Sequence, residues 1–339
     1  MPFNGTLPSS NIRRMKTQTK NTLARLFFLA FFSFTSEFSV GQTRITFSPQ
    51  WFPQAQFAGY YVALDQGFYK DLGLEVQIIH PSGTVSAFDN LNKGKVDVIS
   101  SFLMDGLKQR ANGRPLVHVG QFSQHSALMM VTKKTSGIDQ AKKLNGKTLG
   151  LWSFGFQDIP RAFIQKYGYD LQIVPILNTV NLFLLNGVDA LTVMYYNEYD
   201  QLINSGLNEN ELNTFFFSDF GFDIPEDGLY CLENTYEQKK DALKKFVQAT
   251  LKGWAYAAKN KDYTIDLVVR EMDKAHLANN KTHQRWMLDK VLELIEPRNK
   301  QVQKGQLSKQ DFQSALGILK SDQTANYTNP NILMEDFSK

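Results

Sequence analysis

Apolar and polar positions change period repeatedly along the chain, and each change predicts an element. RITF at 44–47 predicts a strand, ended by the breaks Ser48-Pro49 and Phe52-Pro53. Phe57, Tyr60, Tyr61 and Leu64 then recur at three- and four-residue intervals, the spacing of one helix face, until Gly67 stops the helix. Leu74 to Ile79 is the next predicted strand, followed by a helix near Val85 to Leu91 and a strand at Val96 to Ile99. A further helix ends near Asn112-Gly113, ahead of a strand at Val117 to Val119. After Thr132 the pattern restarts, with strands at Lys147 to Leu151, Leu171 to Val174, Ala190 to Val193 and Thr214 to Phe217, and a helix near Asp158 to Lys166. A long helix is predicted from Thr235, with Gln238 completing a capping box and an apolar stripe through Leu243, Phe246, Val247, Leu251 and Trp254. Residues 264 to 320 read as helical throughout.

Strands alternating with helices imply α/β architecture with largely parallel sheets. The restart implies two α/β lobes: residues 42–130 with 228–339 in the first, and 131–227 in the second. The C-terminal helices are expected to pack on the first lobe. Ligands of open α/β sheets sit beyond the carboxyl ends of the strands, so two lobes facing each other there enclose a cleft.

Residues 26–34, LFFLAFFSF, form an apolar run preceded by Lys16, Lys20 and Arg25 and followed by Ser39-Val40-Gly41. That order of basic, apolar and small residues is a secretory signal peptide over 1–41, with Met1 or Met15 as initiator; a short anchor or a buried helix is the alternative. The run falls well short of the roughly 20 residues that span a bilayer. The formal charge of +4 comes from this segment, and without it the chain is neutral, which removes the electrostatic case for a nucleic-acid partner. A single cysteine, Cys231, allows no intrachain disulfide and no multi-cysteine metal site.

The residues after each predicted strand are the candidates for chemistry. Trp51, between two prolines, is a rigid indole able to stack on a flat heterocycle, or else a core tryptophan. Of Tyr60 and Tyr61, one is expected in the core and one toward the cleft. VMYYNEYD at 193–200 sets Glu198 beside Tyr195 and Tyr196, suited to an amino-substituted ring; alternatively Glu198 only complements a helix dipole. Ser153 and Gly155 precede a helix, where backbone N–H groups favour an acceptor or anion. Ser82, Ser101 and Asn178 occupy comparable strand-end positions. His118 reads as a structural histidine inside an apolar strand, and His276 and His283 lack a metal-site arrangement. No P-loop, dinucleotide fingerprint or nucleophile elbow is present, so no catalytic residue, cofactor or metal is expected.

WFPQAQFAGYYVALDQGFYKDLGLEV at 51–76, GKVDV at 94–98, LNGKTLGL at 144–151 and YNEY at 196–199 resemble the NMT1/THI5-like family over roughly residues 44 to 270. The resemblance implies a type II periplasmic-binding-protein fold with Trp51 at the cleft. It also implies one of two activities: capture of thiamine-pyrimidine precursors for an ABC importer, or synthesis of that pyrimidine from histidine and pyridoxal phosphate with iron. The synthase's lysine and histidine fall, without gaps, on Ser101 and Asp105, and its cysteine-rich loop is reduced to Cys231. Serine cannot form the Schiff base of a lysine amine. The expectation is therefore a monomeric periplasmic solute-binding protein for an aminopyrimidine-like ligand, partnered by an ABC permease and ATPase. The alternatives are a synthase-like enzyme and a ligand sensor for a membrane kinase. Expression with the native leader is expected to yield a product beginning near Gln42, read by intact mass; a soluble product retaining residues 26–34 would contradict the leader assignment.

Overall fold

The computed structural model describes residues 1–5 and 42–339, apart from Phe154, Asn178, Gln323 and Thr324. The expected leader core and its exit lie outside the described residues. Residues 42–339 form one compact unit containing two five-stranded sheets.

The first sheet holds β1 (Thr43–Ser48), β2 (Leu74–Ile78), β3 (Val98–Phe102), β4 (Leu116–Gln121) and β10 (Asp227–Leu232), in the order β2-β1-β3-β10-β4. The second holds β5 (Leu128–Lys133), β6 (Lys147–Trp152), β7 (Leu171–Ile176), β8 (Ala190–Met194) and β9 (Leu212–Phe216), in the order β7-β6-β8-β5-β9. The eight strands predicted from sequence all form. β5 and β10 carry no alternation, because almost every residue of each is buried, and the period-2 signal that marks a half-exposed strand is absent. Both run antiparallel to their two neighbours, so the sheets are mixed rather than largely parallel. The chain leaves the first sheet through 122–127 and returns through 217–226. β5 begins at Leu128, so the sequence boundary near 130 falls inside a strand of the second sheet.

Helices cover both sheets: α1 (Ala58–Asp65), α2 (Phe68–Asp71), α3 (Ala87–Asn92), α4 (Leu103–Ala111), α5 (Asp158–Tyr167), α6 (Asn181–Leu184), α7 (Glu198–Asn204), α8 (Glu233–Lys259), α9 (Lys261–Lys274), α10 (Lys281–Ile295), α11 (Lys309–Ser321) and α12 (Met334–Phe337). α8 starts directly from β10 at Glu233, whose N–H bonds the Pro115 carbonyl, so Thr235 lies inside the first turn and forms no capping box with Gln238. Residues 296–308 are not helical; Pro297 and Gly305 break the run, and the Gly305 carbonyl accepts from the Gln121 N–H at 2.9 Å.

The first lobe's core is aromatic. Phe47 packs on Tyr60 at 4.4 Å between centroids, and Tyr69 stacks on Phe246 at 5.1 Å with the rings 7° from parallel. The Tyr69 hydroxyl and Thr250 Oγ1 satisfy one another at 2.8 Å. α1 and α8 approach so closely that a Cβ on Gly253 would stand 2.1 Å from the Gly59 carbonyl oxygen, and one on Gly59 would stand 2.3 Å from the Trp254 ring. Glycine inside a helix costs about 1 kcal/mol against alanine, so these two positions are occupied for contact, not for helix stability. Gly253→Ala is expected to destabilise the fold by about 1–3 kcal/mol or more through overpacking, measured by urea unfolding. A neutral or stabilising alanine would mean that the two helices can part without loss.

Candidate functional site

The carboxyl ends of β1 and β3, the start of β10 and the end of β8 bring polar side chains together between the sheets. After β1, the Gln50 N–H donates to Ser100 Oγ at 3.0 Å, and the two side chains are also bonded to each other. Gln50 Nε2 donates to Asp227 Oδ1 at 2.6 Å, and Gln56 Nε2 to Asp227 Oδ2 at 2.8 Å. Both oxygens of this buried carboxyl therefore have partners, yet burial still pushes it up to about 6.

Its neighbour Glu226 is held differently. Oε1 accepts from Ser126 Oγ at 3.0 Å and from the Ala127 N–H at 2.7 Å, both in the outbound crossover. Oε2 is buried without a partner among the described residues. Burial first, then the charge of Asp227, raises this carboxyl to about 8. From the second lobe, Glu198 Oε2 accepts from the Met194 N–H and Oε1 from Asn197 Nδ2, each at 2.8 Å, and burial raises Glu198 to about 7. The buried Tyr196 phenol is raised by burial and further by the charges of Asp227, Glu226 and Glu198. One phenol of the second lobe thus lies in the field of three buried carboxyls, two of them on the return of the chain into the first sheet.

The expected site residues divide. Trp51 is 38% exposed, touching Phe52 edge-on at 5.3 Å, and its carbonyl bonds His80 Nδ1. It is not a core tryptophan, and its indole is available. Tyr60 and Tyr61 do not split, since each is only 2% exposed. Tyr60 belongs to the aromatic core, near enough to Asp227 for that charge to raise its phenol further. Ser101 is buried on β3 opposite Gly228, and Gly155, at φ +86°, abuts the Phe102 ring across the crevice. Tyr195 packs against Tyr199, Phe216 and Trp286, and its carbonyl accepts from Trp286 Nε1 at 3.0 Å. Ser82 lies in an exposed turn bridged to Val85, away from the others, and Asn178 falls outside the described residues. Ser153 follows β6, but the helix start beyond it already carries Asp158, paired to Lys108 at 2.8 Å, which supplies the negative charge that such a terminus favours.

Sequence reasoning set Tyr196 beside Glu198 but did not single out Gln50, Gln56, Glu226 or Asp227. It also set aside His283, whose Nδ1 lies 2.6 Å from Asp200 Oδ2 and whose Nε2 lies 3.2 Å from Asn197 Oδ1. α10 thus touches the loop that presents Glu198, while its Gln284 Oε1 accepts from the Ala55 N–H in the first lobe. The signal available was the acidic pair that follows Pro225 where the chain turns back.

Buried hydrogen-bonding groups between the lobes, with an exposed indole on the loop after β1, suit capture of a small polar heterocycle. Nucleophiles are poorly placed. Cys231 is buried and its thiol pushed up to about 12, which leaves it inert. Asp105 is committed to Lys108 at 3.0 Å. Lys108 itself, held between Asp105 and Asp158, stays protonated and so is no Schiff-base amine.

Residues 54–263 match the family described as NMT1/THI5 like. The chain belongs to the NMT1/THI5-like family. A formylaminopyrimidine-binding protein of Halalkalibacterium halodurans is 24% identical over 258 residues, 74% of this chain and 77% of that protein. The 4-amino-5-hydroxymethyl-2-methylpyrimidine phosphate synthase of Schizosaccharomyces pombe is 27% identical over only 107 residues, 32% of this chain and 31% of the enzyme. Among solved structures, the periplasmic aliphatic sulphonate-binding protein SsuA of Escherichia coli superposes with a TM-score of 0.62 at 14% identity, covering 82% of this chain and 91% of that one. The fold of this NMT1/THI5-like chain is that of the periplasmic binding proteins.

Proposed function

We propose that the protein is an exported solute-binding component of an ABC importer and captures an aminopyrimidine of the thiamine-precursor type. The observation that carries this reading is the meeting of Glu198, Tyr196 and the Glu226-Asp227 pair between two sheets, with Trp51 exposed at the edge. The Glu198 carboxylate has lone pairs beyond those used by the Met194 N–H and Asn197, and the exocyclic amine of a pyrimidine supplies N–H groups to such an acceptor. A flat ring also presents a face to Trp51. One relative that aligns along most of both chains is named for binding a formylaminopyrimidine and another for binding riboflavin, whereas the synthase aligns along a third. Ser101 and the ion-paired Lys108 leave the pyridoxal-phosphate chemistry of that enzyme without its amine. The permease and ATPase are the partners that the fold's use in import systems brings with it, and a periplasmic location follows from the leader.

Titration calorimetry of residues 42–339 with formylaminopyrimidine and with hydroxymethylpyrimidine tests the reading; absence of binding to either contradicts it. Trp51→Ala is expected to lose about 1–3 kcal/mol of binding, the value of one ring stack, or roughly tenfold to more than a hundredfold in affinity. Glu198→Gln is expected to weaken binding comparably, since an amide replaces a charge-assisted acceptor. The Trp51 variant should melt close to the parent temperature because its side chain is substantially exposed. Unchanged affinity in both variants would remove them from the site.

A further inference from the structure

We propose that Glu226 is a specificity-determining ligand contact whose Oε2, unpartnered in the crevice between the lobes, donates a hydrogen bond to a carbonyl or ring-nitrogen acceptor on the bound heterocycle. The inference rests on the binding reading above and assigns a residue and a hydrogen-bond polarity to it.

The geometry gives the polarity. Oε1 is occupied by two donors, Ser126 Oγ and the Ala127 N–H, so the proton of the neutral acid belongs on Oε2. Glu226 lines a crevice walled by Phe102 and Met104 from the first lobe, Phe156 and Met194 from the second, and Ile224 from the return crossover, and its Oε2 is buried there. Of the polar residues in the same lining, Ser126 is bonded to Oε1 and Asp158 is paired with Lys108. A carboxyl present only to join the crossovers would need Oε1 alone, and a glutamine would serve Ser126 and Ala127 equally well. Leaving a buried polar atom unpaired costs about 1–3 kcal/mol, and such an atom calls for a reason. A ligand acceptor supplies one.

The surroundings keep the acid neutral. Asp227 and Asp223 add negative charge beside it, and with burial they hold the carboxyl at about 8. The Tyr196 phenol is raised by its own burial and then by the charges of Asp227, Glu226 and Glu198. The nearby cations are committed elsewhere: Arg298 pairs with Asp223, and Lys108 with Asp105 and with Asp158, which lines the same crevice. Because the folded-state value lies above that of a free carboxyl, the O–H is present below about pH 8 and lost as pH rises through it.

The test is calorimetric titration of the 42–339 chain with formylaminopyrimidine across about pH 7 to about pH 9.5, for the parent, Glu226→Gln and Glu226→Leu. The parent is expected to lose affinity above about pH 8, approaching tenfold per pH unit. Glu226→Gln keeps a donor at the Oε2 position and should bind within about threefold of the parent at neutral pH, without that decline; Glu226→Leu should lose about tenfold or more. If the leucine variant does not fold, the contrast in pH dependence between parent and glutamine variant decides alone. Equal affinity of parent and leucine variant, or a parent profile flat through pH 8 and indistinguishable from that of Glu226→Gln, overturns the inference while leaving the binding function intact. A parent that binds no pyrimidine removes the functional reading, and this contact falls with it.

Discussion

Everything at the junction of the two lobes depends on burying two adjacent carboxyls, Glu226 and Asp227, where the chain re-enters the first sheet. Charged groups are costly to bury unless paired, and these two are provided for unequally. Asp227 is tied by Gln50 and Gln56 to the loop after β1, which also presents Trp51. Glu226 is tied to the outbound crossover through Ser126 and Ala127. The Asp227 carbonyl adds backbone bonds from Phe122 and Ser123, at 2.9 and 3.1 Å. The two crossovers are therefore fastened to each other and to the cleft's edge by one dipeptide. A displacement of either lobe about the crossovers changes the surroundings of both carboxyls.

This arrangement links ligand chemistry to lobe geometry. The crevice is shaped by elements from both sheets, and its polar groups come from the crossovers and from the turn after β8. A ligand that satisfies Glu198 from one side and the Glu226-Asp227 pair from the other favours the arrangement in which the lobes face each other closely. On the proposed binding reading, closure would follow from differential affinity, as it must for any population shift. α10 adds a second contact across the same gap, with Gln284 on the first lobe and His283 and Trp286 on the second.

Much of the fold was legible because short strands flanked by proline and glycine turns announce themselves, and the helix stripes from Phe57 to Leu64 and from Leu243 to Trp254 are regular. LMMVTK and DGLYCL were not legible as strands. Each is sandwiched between two neighbours and buried on both faces, as the recognised β8 also is, and neither has the turn residues on both sides that mark a short strand. The same burial hid the site. Glu226 and Asp227 sit in IPEDG, which reads locally as a polar turn, and only the insertion of β10 between β3 and β4 encloses them. Trp51 and Glu198 drew attention because each comes shortly after a predicted strand, RITF and ALTV. Tyr60 was misplaced for a related reason: helical spacing identifies the buried face but not which of two adjacent tyrosines leaves it, and here neither does.

The most direct measurement is amide hydrogen exchange of the 42–339 chain, free and saturated with formylaminopyrimidine, read by peptide mass. Added protection is expected in three places at once: the loop after β1 at 49–56, the crossovers at 122–127 and 222–228, and the turn at 194–199. Protection confined to one lobe, or gained only on surfaces remote from both crossovers, would contradict a ligand held between the lobes by the carboxyls that join them.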